Sequence, residues 1–245
     1  MSPPAQNIYD NDAFFAGYGK LRRSVEGLGG APEWPTLRAM LPAMARLRVV
    51  DLGCGFGWFC RFAREAGASH VLGLDLSEKM LARAREASSD GAIVYRRADL
   101  EHLDMPPAAF DLAYSSLALH YIANLKGLLE TVHRALVPGG RLVFSVEHPL
   151  YTAPTTPDWS ADDRGHKRWL LDRYLDEGER STNWLAEGVI KQHRTIASYV
   201  NLLLELGFTM CRLEEWGPSE AEIANHPEWA VERDRPPFLL VSAAR

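Results

Sequence analysis

A buried strand that runs directly into three alternating glycines leaves a chain few folds to choose from. In Val49-Val50-Asp51-Leu52-Gly53-Cys54-Gly55-Phe56-Gly57 the apolar run reads as a strand covered on both faces, the glycines open a tight turn, and Trp58 to Ala66 takes on helical spacing. A Cβ on the turn blocks the approach of a ligand to the backbone, and such turns often need positive φ. The stretch therefore predicts a backbone that comes very close to a nucleoside-containing cofactor.

The same alternation continues downstream. His70 to Asp75 reads as a second strand, and Ser77 as the N-cap of a helix with Met80, Leu81, Ala84 and Ala87 on one face. Ala92 to Arg97 and Phe110 to Ser115 make the third and fourth strands. Leu125 to Leu136 makes an amphipathic helix, and Pro138-Gly139-Gly140 a stop before the strand Arg141 to Glu147. Strands alternating with helices predict an α/β fold, a Rossmann-like doubly wound sheet with right-handed crossovers. Upstream, Phe14, Phe15, Tyr18 and Leu21 suggest a short helix, and Thr36 to Met44 a second one.

After Glu147 the pattern breaks. Residues 149–188 are rich in Trp, Asp, Arg and Pro, and Trp159, Trp169, Tyr174 and Trp184 follow neither helical nor strand period. So many aromatics argue against a disordered linker and for an inserted cap over the carboxyl edge of the sheet, where open α/β folds bind ligands. Ile196 to Leu206 resumes as a helix, followed by strands at Phe208 to Trp216 and Phe238 to Ala243 without a convincing crossover helix between them. This predicts a seven-stranded, mostly parallel sheet whose last strand is antiparallel. The expected organisation is a single domain: an N-terminal helical cover over 1–46, a cofactor-binding core over 47–148, the cap over 149–193 as substrate region, and the end of the core sheet over 194–245.

Composition narrows the function. A net charge of −5 disfavours nucleic acid or an anionic membrane surface as a partner. The three cysteines, Cys54, Cys60 and Cys211, form no CxxC pair, which suits a reducing cytoplasm and gives no thiolate metal site. The first residues, Met1 to Gln6, lack a basic region followed by an apolar run, and no apolar stretch approaches membrane-spanning length. A cytoplasmic monomer or homodimer without a metal is the expectation.

Features at successive strand ends divide a nucleoside among them. The turn with Asp51 comes first; Asp75 can then accept from both ribose hydroxyls, and Asp99 from an adenine amino group while a neighbouring backbone N–H meets a ring nitrogen. The turn alone fits NAD as well, but GxGxG in place of GxGxxG, the added Asp99 and the antiparallel end favour another nucleoside cofactor. The series VVDLGCGFG, VLGLDLSEKML, ADLEHLDMP, FDLAYSSLALHYI and LVPGGRLVFSVEHP resembles the class I S-adenosylmethionine-dependent methyltransferases, in particular the small-molecule type called methyltransferase type 11. The resemblance implies cofactor contact by Asp51, Gly53, Gly55 and Gly57, ribose binding by Asp75, packing on the adenosine by Leu76 and Met80, and adenine recognition by Asp99 and Leu100. It also implies that the loop from Ser116 to His120 flanks the methyl group.

Methyl transfer from a sulfonium needs alignment first, and a base only where the acceptor atom carries a proton at neutral pH. Candidate bases are His120, Glu147, His148 and His193, with Glu147 able to pair with Arg194 instead. Tyr18 with Arg22 or Arg23 can close over the cofactor and pair with its carboxylate. Plainer roles stand beside these: Asp75 as a helix-capping acid, Met80 as core, His120 as a wall of the pocket and the cap aromatics as a small core of their own. The reading is transfer to O, N or C of a small molecule. A nucleic-acid or protein methyltransferase, or a non-catalytic binder of the cofactor, are the alternatives.

Overall fold

The computed structural model describes residues 6–245. Met1 to Ala5 of the expected N-terminal cover lie outside the described residues. In chain order, helices α1 (Asp12–Tyr18), α2 (Arg22–Val25) and α3 (Trp34–Ala39) lead to strand β1 (Arg48–Leu52). Then come α4 (Trp58–Glu65), β2 (His70–Asp75), α5 (Glu78–Glu86), β3 (Ile93–Arg97), β4 (Phe110–Ser116), α6 (Leu125–Ala135) and β5 (Leu136–Glu147). The next segment holds the short helix α7 (Pro149–Thr152), the hairpin of β6 (Trp159–Ala161) with β7 (Lys167–Trp169), and the hairpin of β8 (Gly178–Trp184) with β9 (Ala186–His193). Helix α8 (Ile196–Glu205), β10 (Thr209–Trp216), α9 (Glu220–Asn225) and β11 (Phe238–Ala244) complete the chain.

Local chemistry starts these helices. The side chains of Asn11, Ser77, Asn124 and Thr195 each accept a backbone N–H from the first turn of α1, α5, α6 and α8. Helix α3 starts two residues earlier than its pattern implies, with Pro35 in its first turn, and ends at Ala39 rather than Met44. Pro42 bars continuation, because its ring and missing N–H cannot extend a helix.

The sheet has seven strands in the order β10-β11-β5-β4-β1-β2-β3. Strands β1 to β5 run parallel, while β11 is antiparallel to both β5 and β10. The chain enters the sheet at β1, adds β2 and β3 on one side and β4 and β5 on the other. The loops after β1 and β4 consequently part in opposite directions and open a crevice at their carboxyl ends. One prediction needs correction: Pro138-Gly139-Gly140 does not stop the chain before β5. The strand begins at Leu136, directly after α6, and carries a bulge in which Phe110 pairs with Leu136 but Leu112 with Arg141. Gly139, at φ +78°, absorbs the distortion.

Alternation along the strands sends apolar side chains to both faces. Val50, Leu52 and Leu142 join Leu128, Leu129, Val132, Tyr199 and Leu203 from α6 and α8 on one face. Val49, Val71 and Leu112 join Leu37, Phe59, Ala63 and Leu81 from α3, α4 and α5 on the other. Each of the large side chains among them contributes about 1.5–3 kcal/mol by leaving water, so the two faces fix the height of every strand end.

Candidate active site

A cavity of about 1040 Å³ lies in the crevice. That is the upper end of the roughly 300–1,000 Å³ typical of a site for one small ligand, and it leaves room for a second molecule. Asp51, Asp75, Asp99, Ser116 and Glu147, at or just beyond the carboxyl ends of β1 to β5, all line it. Gly53, Gly55, Leu76, Met80, Leu100 and His120 line it too, as do Tyr18 and Arg23 from the N-terminal helices.

The glycine turn splits into two roles. At Gly55 an added Cβ meets nothing within 4 Å, so the backbone is open toward the cavity. Gly57, by contrast, does not line the cavity: its φ is +71° and a Cβ there lands 2.3 Å from the Tyr95 hydroxyl. Packing at the start of α4 and the positive φ are enough to require glycine there, whatever the ligand does.

Asp75 Oδ2 accepts the Gly55 N–H at 2.8 Å and Oδ1 accepts the Ser77 N–H at 2.9 Å. The carboxylate thus ties the glycine turn to the start of α5 and retains unused lone pairs. Burial pushes its pKa up to about 6 and that of Asp51 up to about 7. Asp99 Oδ1 caps the following turn through the Glu101 N–H at 2.9 Å. Tyr9, Tyr18 and Tyr121 form a roof, with the Tyr9 and Tyr121 hydroxyls 3.3 Å apart and the Tyr9 and Tyr18 rings at 5.3 Å. Arg23 Nη2 donates to both oxygens of buried Glu33, at 3.0 and 3.1 Å.

Of the four candidate bases, the structure brings two to the cavity. His120 is buried, and burial, then the Lys191 and Arg194 charges, hold its pKa well below the usual histidine value. The neutral ring accepts the Glu147 N–H on Nδ1 at 3.4 Å, which assigns its proton to Nε2. Glu147 Oε1 accepts from Lys191 Nζ at 2.6 Å, while Oε2 is buried with no partner among the described residues. The partner is Lys191, not Arg194, whose Nη2 donates to the Ile122 and Ala123 carbonyls.

His148 and His193 are placed elsewhere. His148 accepts the Leu150 N–H on Nδ1, capping α7, and Nε2 lies 2.9 Å from Glu215. His193 is held between the Thr152 hydroxyl and the Tyr174 carbonyl, each at 2.9 Å. Neither lines the cavity; the contacts of each hold neighbouring elements together, unlike the catalytic placement expected of them.

The comparisons with known proteins agree with this geometry. A family model described as a methyltransferase domain matches residues 50–144. A solved S-adenosylmethionine-dependent methyltransferase from Mesorhizobium loti is 60% identical, superposes with a TM-score of 0.87, and is matched over 89% of this chain and 100% of its own. The chain belongs to the S-adenosylmethionine-dependent methyltransferases. An uncharacterized protein of Haemophilus influenzae is 35% identical over 98% of this chain and 97% of its own length. The malonyl-[acyl-carrier protein] O-methyltransferase of Pectobacterium atrosepticum is 40% identical over 63% of this chain, which spans 54% of that enzyme.

The residues present fit the methyltransferase cofactor. Asp75 keeps acceptor capacity for hydroxyl donors, Gly55 opens the backbone, and Leu76, Met80 and Leu100 give an apolar bed for a flat base. No group of three metal-ligating side chains forms among the described residues, and no described helix is long and apolar enough to cross a membrane.

Sequence reasoning missed Tyr9, Lys191 and Arg235. Tyr9 sits in a short 3₁₀ turn with no periodicity to announce it. Lys191 reads as surface charge, yet it is 2% exposed behind Glu147, with Nζ 5.1 Å from the Trp184 ring centre. Arg235, on the approach to β11, lines the cavity within a box of aromatic rings.

Proposed function

We propose that this methyltransferase acts on O, N or C of a small-molecule acceptor, bound in the half of the cavity walled by Tyr151, Trp159, Trp169, Trp184 and Phe238. The observation that carries the reading is a continuous cavity in which strand-end carboxylates face an aromatic chamber enclosed by the chain's own inserted cap. Asp51, Gly53, Gly55, Asp75, Leu76, Met80, Asp99, Leu100 and Ser116 hold the cofactor, with Tyr18 and Arg23 closing over it. Bound there, S-adenosylmethionine supplies a methyl group already activated by its positive sulfur.

The chain's residues then align and deprotonate. Glu147 Oε2 takes the proton that the acceptor loses, and Lys191 Nζ, donating to Oε1, fixes the carboxylate in place. His120, neutral with its proton on Nε2, is a donor toward the acceptor rather than a base. The tyrosine roof excludes water. The free cysteines Cys54, Cys60 and Cys211 accord with a cytoplasmic enzyme, working as a monomer or homodimer.

Isothermal titration with S-adenosylhomocysteine tests the cofactor site, with saturable one-to-one binding expected. A folded protein that gives no saturable heat overturns it. Release of S-adenosylhomocysteine over a metabolite panel, against transfer RNA and bulk protein as rival acceptors, tests the acceptor class; turnover on a macromolecule alone overturns the small-molecule reading.

A further inference from the structure

Arg235 is 4% exposed, and its guanidinium carbon lies 4.4 Å from the ring centre of Tyr151, 5.1 Å from Trp159 and 4.3 Å from Trp169. The box is rigid. Trp159 and Trp169 face each other across the β6–β7 hairpin with ring centres at 5.3 Å, and Trp169 Nε1 donates to the Leu150 carbonyl at 2.8 Å. Among the described residues the only hydrogen-bond acceptor of this guanidinium is Glu232, on Nη2; Nε is buried and without a partner.

A second buried arginine of the same region shows what a purely structural guanidinium looks like here. Arg180 donates Nε to the Ala153 carbonyl, Nη1 to that of Glu179 and Nη2 to those of Arg173 and Asp176. Its donors cross-link the backbone and it does not line the cavity. Among the described residues Arg235 donates to no backbone carbonyl, and it lines the cavity. A buried charged donor left without an acceptor is costly, and aromatic faces offset only part of that cost.

We infer that Arg235 is the anion-recognition residue of the acceptor chamber, and that the acceptor carries a single carboxylate on a flat or apolar body. The inference rests on the reading of this half of the cavity as the acceptor site. A guanidinium fork matches a carboxylate, and the tryptophan and tyrosine rings hold it in one plane. A monoanion fits better than a dianion, because Asp158, Glu179 and Glu232 also line the cavity and repel a second negative charge.

The test titrates S-adenosylhomocysteine-loaded protein with matched pairs, benzoate against benzamide and 3-phenylpropanoate against its amide, followed by ligand-observed NMR. At least one acid is expected to bind tenfold or more tightly than its amide. Arg235→Gln should abolish that preference and leave S-adenosylhomocysteine affinity unchanged, which also reports that the variant folds. Glu232→Gln frees the guanidinium from its acidic neighbour and should strengthen acid binding severalfold, an effect a structural arginine does not produce. Equal binding of acids and amides by the wild-type protein, an acid preference that survives Arg235→Gln, or unchanged acid binding in Glu232→Gln each overturns the inference. Loss of S-adenosylhomocysteine binding by the wild-type protein instead strikes the cofactor site and the function proposed above.

Discussion

The two halves of the cavity are built by different means. Where the strands end, ligand groups are carboxylates and backbone amides whose positions follow from the sheet: Asp51 and Asp75 stand where β1 and β2 stop, and Asp75 is braced by the N–H groups of Gly55 and Ser77. Where the hairpins close over, side chains from the core are braced by side chains of the hairpins: Glu147, at the end of β5, by Lys191 of β9, and Arg235, before β11, by Trp159 and Trp169 together with Tyr151 of α7. Topology fixes the first half, while the second depends on side chains that the insertion brings to it. Such a division lets one fold serve many acceptors with one methyl donor.

The sharpest way to break this comparison is to remove a brace from the hairpin half. Glu147→Leu leaves Lys191, 2% exposed, without its counter-charge, and we expect a loss of about 3–5 kcal/mol in denaturant unfolding. Adding Lys191→Met should recover most of that loss, because an apolar pair replaces the ion pair at similar volume. A single variant as stable as the wild type shows that the pair is not a brace, and the contrast fails.

In the strand-end half the expected effect is smaller and falls on affinity. Asp75→Asn replaces an acceptor-only carboxylate by an amide that offers donors to hydroxyl hydrogens, weakening S-adenosylhomocysteine binding by about 1–3 kcal/mol in titration calorimetry. Unchanged affinity removes Asp75 from the site.

Acidity sharpens the same half through two slopes of opposite sign. Burial raises Asp75 to about 6 and Asp51 to about 7 in the folded protein, so the fold holds these protons more tightly than the unfolded chain does. Their charged forms therefore disfavour folding at neutral pH, and the ligand-free protein should gain about 1 kcal/mol as pH falls from roughly 7.5 to 5.5, a modest value because Asp75 is only partly buried. If the carboxylate of Asp75 accepts from the ribose hydroxyls, as proposed above, S-adenosylhomocysteine affinity should fall by up to about tenfold per pH unit below about 6. Melting curves and titrations over that range check both signs, and parallel slopes refute the assignment.

How much of this was legible follows the same division. Strand-end residues announce themselves because hydrophobic runs, glycines and single acids alternate at short range, and the family pattern repeats over five strands. Gly57 shows the limit: a motif position gives no sign that its glycine leaves room for Tyr95. The hairpins were illegible for a physical reason. Strands β6 and β7 have three residues each, too few for a period of two, and the buried side of β8 and β9 holds Arg180, Lys191 and His193 beside Val189. A pattern reader that expects apolar residues inside takes those charges for surface. Arg235 has no motif at all, and only the fold brings it to Tyr151, Trp159 and Trp169.

The smallest expected effect concerns a histidine that sequence position alone made a catalytic candidate. His148 follows Glu147 directly, but the peptide between them turns the two side chains to different surroundings: Glu147 lines the cavity, while the His148 ring caps α7 and meets Glu215, itself half exposed. Burial lowers its pKa, so the ring is neutral at pH 7 and its contact with Glu215 is an ordinary hydrogen bond. In His148→Asn the shorter side chain keeps the capping acceptor and loses Glu215. Stability should drop by about 1 kcal/mol, with S-adenosylhomocysteine affinity and turnover within twofold of the wild type. A tenfold fall in turnover without a fall in stability returns His148 to the chemistry, and with it the idea that the wall of the acceptor chamber extends behind β5.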